Sequence, residues 1–242
     1  MENPAHKLYS LLDQAYSECK LSVSSPSFKK TWGTVLEVNP NETSELIASF
    51  SSMLNLFQTT KEYIKNNERL NTTKNLNFLR SIEKALYSIN FDGNMSSFTQ
   101  HLDKETLTAL YYMGENMNFI YDLNETTIDS EEINSLVNEV NELIDNITTA
   151  NLPEEVKTIL FTNLNNIRTS LISYKVSGIE GMKTALEQTI GSLFMNNEVI
   201  TPVAQDENVK GVFNIIDKMN TVLSTGVAVK DLVGPIMGLL LK

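Results

Sequence analysis

Apolar side chains recur every three to four positions along almost the whole of this 242-residue chain. That spacing fits amphipathic helices, whereas strands alternate apolar and polar positions. The clearest run follows the Asn39-Pro40-Asn41 turn, where Leu46, Ile47, Phe50, Met53, Leu54, Phe57 and Ile64 share one face. Thr43 or Ser44 supplies its start and Asn66-Asn67 its end. A second helix is expected from about Thr73 to Ile89, burying Leu76, Leu79, Ile82, Leu86 and Ile89. Asp103 then stands as an N-cap with Glu105 in the first turn, ahead of Leu107, Leu110, Tyr111, Met117 and Tyr121.

Ser130-Glu131-Glu132 marks a further start, because carboxylates meet the positive end of a helix macrodipole. Ile133, Leu136, Val137, Val140, Ile144 and Ile147 form its stripe, and Pro153-Glu154-Glu155 opens the next helix. Gly178 interrupts that run as an expected left-handed helix end, and Met182, Leu186, Ile190, Leu193 and Phe194 begin another stripe. Near the N-terminus, Leu8, Leu11, Leu12 and Ala15 make an amphipathic helix, and Trp32 with Phe28, Val35 and Leu36 a short core-facing turn. The expected fold is therefore all-α, a multi-helix bundle or layered helical domain of about 8–10 helices. A helical body over 1–195, a linker over 196–208 and an apolar helical hairpin over 209–242, packed on the body or a partner, complete the expected organisation.

The C-terminal segment raises the question of a membrane. Twelve apolar residues between Val222 and Leu241 contribute at most about −0.3 to −0.6 kcal/mol each on insertion scales, whereas Lys230 and Asp231 together cost about +5 to +7 kcal/mol. The balance favours a docked hairpin, with Val227, Leu232, Val233, Ile236 and Leu240 as its assembly or membrane-facing positions. Cys19 is the only cysteine, which excludes an internal disulfide, and the first twenty residues have no basic region followed by an apolar one. A cytoplasmic setting is expected. Five Asn-x-Ser/Thr triplets are no more than 27 asparagines produce by chance.

Charge changes this picture most. Between Glu105 and Val156 lie twelve carboxylates and no Lys, Arg or His, while the chain as a whole carries −11. Such a field attracts cations and basic surfaces and repels phosphate. With three arginines in all, the chain is a poor nucleic-acid binder, and direct binding is not expected. Glu139, Glu142 and Asp145 recur along one helix side opposite the apolar stripe, so they are expected to be solvated, with hard-cation binding as a minor alternative.

Candidate chemistry is otherwise thin. His6 and His101 lie in no zinc or di-iron spacing, and no phosphate-binding glycine loop occurs. Neither a cofactor nor a metal is expected, and enzymatic activity is not favoured. An enzyme would have to work with carboxylates alone.

Leu152-Pro153-Glu154-Glu155, Leu164-Asn165-Asn166-Ile167-Arg168 and Tyr174-Lys175-Val176-Ser177-Gly178-Ile179-Glu180-Gly181 together resemble a stretch that recurs in a family of uncharacterised all-helical bacterial proteins. Thr31-Trp32 followed by Val35-Leu36-Glu37-Val38 is similar to the early Trp-containing turn of that family. The resemblance implies a bacterial cytoplasmic setting and supplies no catalytic residue.

These readings converge on a helical interaction protein, an accessory, immunity or defence-system component, that docks a basic protein partner or self-associates. Glu131, Glu132, Glu139, Glu142, Asp145 and Tyr121 are the expected partner-binding residues. The alternative is a membrane-acting effector whose C-terminal segment inserts after activation.

Overall fold

The computed structural model describes residues 3–21, 25–121 and 128–226. Among them are eleven α-helices and no strand, so the all-α expectation is met. The chain forms two compact units, Met1–Glu125 and Thr126–Lys242.

In the first unit the helices are α1 (Pro4–Leu21), α2 (Phe28–Leu36), α3 (Thr43–Lys65), α4 (Thr73–Tyr87), α5 (Ser96–His101) and α6 (Lys104–Tyr121). α1 runs antiparallel to α6, since Asn3 meets Asn118 while Tyr9 meets Tyr111. Asn3 is almost fully buried and holds this pairing: its amide donates to Gly114 O (2.8 Å) and Asn118 Oδ1 (2.7 Å), while its own oxygen accepts the Ala5 N–H that opens α1. Trp32, fully buried, anchors the core against Phe50 and Phe98 edge to face at 5.3 and 5.4 Å, with Phe28 tilted at 6.2 Å. α2 ends on Glu37 in the left-handed region (φ 58), where the Val38 N–H reaches back to Gly33 O at 2.9 Å.

Some positions expected on buried faces are exposed, among them Ile47, Ile89, Tyr111 and, in the second unit, Phe194. Ile47 is 46% exposed near the start of α3, and Ile89 is 39% exposed because α4 ends at Tyr87, two residues before it. The Ser88 hydroxyl donates to Ala85 O at 2.6 Å at that end, and the apolar period loses its meaning where the helix stops.

Asp103 caps α6 as the sequence implies. Its Oδ1 accepts the Thr106 backbone N–H at 2.7 Å, and this bond, with help from the Thr106 hydroxyl, holds the carboxyl below the usual carboxylate range. A carboxyl lowered in the native state stabilises above its unfolded pKa and loses that contribution as pH falls through the native one. Asp103→Ala is therefore expected to cost about 0.5–2 kcal/mol at neutral pH, measured by urea unfolding. The gap to the wild type should close in acid. Asp103→Asn should keep most of the cap, and a gap that stays constant down to strongly acidic pH would contradict the account.

The second unit holds α7 (Ser130–Thr149), α8 (Glu154–Ile172), α9 (Tyr174–Met195), the short α10 (Asn197–Ile200), a 3₁₀ turn (Thr201–Val203) and α11 (Glu207–Gly226). α7, α8 and α9 pack in sequence and α11 lies against α7 and α9. One core joins Ile133, Leu136 and Val140 of α7 to Leu160 and Leu164 of α8, Met182 and Leu186 of α9, and Val212 and Met219 of α11. Asn163 Nδ2 donates to Ser192 Oγ (3.0 Å) and Asn166 Nδ2 to Gln188 Oε1 (2.9 Å), which sets the antiparallel register of α8 on α9.

Gly178 kinks α9 near its start. Its φ of 60° is positive, as expected of a glycine helix end, but ψ is −159°, so the joint is an extended mirror-image conformation and not the left-handed helical one. Residues 196–208 contain α10 and the 3₁₀ turn, with Ile200 fully buried. Of the 209–242 segment the structure describes α11 alone. Among the described residues no helix is long and apolar enough to cross a membrane.

Candidate functional site

The acidic stretch is divided between the two units. The first unit carries 11 basic and 15 acidic side chains, the second 8 and 15, and eight of the twelve carboxylates between Glu105 and Val156 belong to the second. Five of those eight lie on α7.

α7 is oriented by its buried stripe, Ile133, Leu136, Val140 and Ile147, which turns the carboxylates to the other side. Asp129 caps it, accepting the Glu131 N–H at 3.1 Å, and Glu131 and Glu132 sit exposed in the first turn. Glu142 and Asp145 are also exposed. Glu139 is not fully solvated: Lys218 of α11 donates to its Oε2 at 2.6 Å, the two side chains being 37% and 52% exposed.

Between α7 and α11 lies a shallow groove of about 440 Å³. Glu139, Glu142 and Asp217 give it an acidic rim, Lys218 adds one cation, and Leu143 and Ile215 supply apolar lining. Gly211 allows the close approach of the helices, since a Cβ there would stand 2.8 Å from Leu143 Cδ1. The groove can therefore accept an apolar group flanked by cations. Among the described residues no three His, Cys, Asp or Glu side chains converge as a metal would need.

The structure brings Glu139 and Glu142 together in this groove and leaves Asp145 outside its lining. Glu131 and Glu132 lie at the far end of α7. Tyr121 belongs to the first unit, with its ring edge to face on Tyr63 at 4.8 Å and its hydroxyl donating to Tyr63 O at 3.1 Å. Val227, Leu232, Val233, Ile236 and Leu240 lie outside the described residues. Sequence reasoning did not find Gly211, Asp217 and Lys218. Their signal was the polar interruption of the α11 stripe, which an apolar reading of that segment passed over.

A second cluster lies on the first unit. His6 Nε2 stands 3.1 Å from Glu115 Oε1, and the His6 ring stacks on Tyr111 at 5.4 Å with an interplanar angle of 21°. Tyr9 and Tyr112 meet Tyr111 edge to face at 5.3 and 5.6 Å. The Glu115 carboxylate, as an acceptor near the Tyr111 hydroxyl and as a negative charge, raises the phenol above its ordinary pKa. Gly114 makes room for the imidazole, because a Cβ there would collide with the His6 ring.

Cys19 offers no comparable chemistry. Burial, then the charge of Glu18, pushes its thiol up to about 11, so little thiolate exists near neutrality.

Comparison of the chain with protein-family models, with curated proteins and with solved structures found no match.

Proposed function

We propose that this protein is a non-enzymatic helical interaction protein that docks a basic protein partner on the α7–α11 face of its second unit. The observation that carries the reading is the groove in which Glu139, Glu142 and Asp217 rim the apolar Leu143 and Ile215. Charged rims set partner choice and encounter rate, while small apolar anchors supply the contact energy. Glu131, Glu132 and Asp145, exposed along the same helix, extend the field beyond the groove. The Glu139–Lys218 pair offers little resistance to a partner, since half-exposed ion pairs contribute about 0–1 kcal/mol. A bacterial, cytoplasmic accessory or immunity role is the setting that suits such a protein.

The test is binding of a lysine-rich amphipathic peptide to the full chain, measured by fluorescence anisotropy at low and high salt. Wild-type affinity should fall steeply with salt. The triple variant Glu139→Lys, Glu142→Lys, Asp145→Lys should bind at least about tenfold more weakly, from roughly 0.5 kcal/mol for each exposed charge. Affinity indifferent both to salt and to the triple change would remove this face from consideration.

A further inference from the structure

We infer that the tyrosine cluster of α6 is a second docking point, specific for an arginine side chain of a protein partner. This assignment stands apart from the acidic groove and rests on other residues. α6 sets Tyr111, Tyr112 and Glu115 at adjacent surface positions, since residues three and four apart on a helix are neighbours. Tyr112 is 60% exposed, Tyr111 39%, and the Glu115 side chain 39%, so ring surface and carboxylate reach solvent side by side.

A guanidinium is the cation that matches both features. It is planar and weakly hydrated, so it stacks on a phenol face, while its forked N–H groups reach a carboxylate at the ring's edge. A lysine ammonium can meet the charge and sit over a ring, but it has neither a plane to stack nor a fork to share with the carboxylate. Glu115 already sits against His6, its Oε1 3.1 Å from Nε2, so part of its side-chain freedom is spent before a partner binds. A carboxylate has about four lone-pair sites, which leaves acceptor capacity for the incoming N–H groups. The negative charge at the ring edge repels phosphate, so an arginine in a protein segment is the occupant and a nucleic acid is not.

The experiment uses the full chain and two labelled peptides of equal length and charge, one built on arginine and one on lysine. Anisotropy titrations at fixed ionic strength should show the arginine peptide binding about 2–5-fold more tightly. Tyr112→Ala should bring that ratio to one by weakening the arginine peptide more than the lysine peptide, and Tyr112→Phe should keep the ratio. Glu139→Lys with Glu142→Lys should weaken both peptides alike and leave the ratio standing, which separates this surface from the groove. Equal affinities in the wild type, or a preference that survives Tyr112→Ala, would overturn the assignment.

Discussion

Trp32→Ala is expected to destabilise the first unit by about 3–5 kcal/mol, the usual cost of truncating a large aromatic residue in a packed core. The indole is fully buried, and its contacts to Phe28, Phe50 and Phe98 contribute beyond the burial itself. Trp32→Phe should behave very differently. Among the described residues the indole N–H has no acceptor, so the wild type carries the desolvation cost of a buried donor, about 1–3 kcal/mol. Phenylalanine removes that donor along with some volume, and the two changes offset. Urea unfolding followed by far-ultraviolet ellipticity should place Trp32→Phe within about 1.5 kcal/mol of the wild type. A loss equal to that of alanine would mean that the indole nitrogen makes a bond the core depends on.

Two glycines of α9 should respond to alanine with opposite signs. Gly178 adopts φ 60° and ψ −159°, a region essentially confined to glycine, so Gly178→Ala is expected to cost about 1–3 kcal/mol. Gly191 lies in the same helix, exposed, and a Cβ there would meet nothing within 4 Å. Gly191→Ala should therefore stabilise by about 0.5–1 kcal/mol through reduced freedom of the unfolded chain. The pair shares a helix and a chemical change, so a general effect of added methyl groups cannot produce both signs. Finding the same sign for both would contradict the backbone argument.

These glycines also mark what the sequence could convey. Gly178 could be read as a break because glycine is the residue that tolerates positive φ, but Glu37 takes φ 58° with no such signal. The long helices were readable because their stripes are local: Ile133, Leu136, Val140 and Ile147 lie within four turns. α5 and α10, at 6 and 4 residues, are too short to show a period. Ile89 was assigned to a face that α4 does not extend far enough to provide.

The candidate surface shows the same boundary between local and tertiary information. Periodicity puts Glu139 and Glu142 opposite the buried stripe, and Glu142 is exposed there, whereas Glu139 is half-buried against α11. It could not show that Lys218, 79 residues away, lies across from Glu139, or that the charge run is cut by the division at Glu125. Nor does it show the contact of the Tyr121 ring with Tyr63, 58 residues away. The His6–Glu115 contact joins residues more than a hundred positions apart, which no pattern along a single chain encodes.

The lone tryptophan and the lone cysteine both fall in the first unit, at Trp32 and Cys19. Indole fluorescence therefore follows the melting of one half of the molecule, whereas ellipticity weighs the helices of both. Any separation between the two curves measures how independently the units unfold, with no label added. A single cysteine placed in the second unit of a Cys19→Ser background would give that half a reporter of its own.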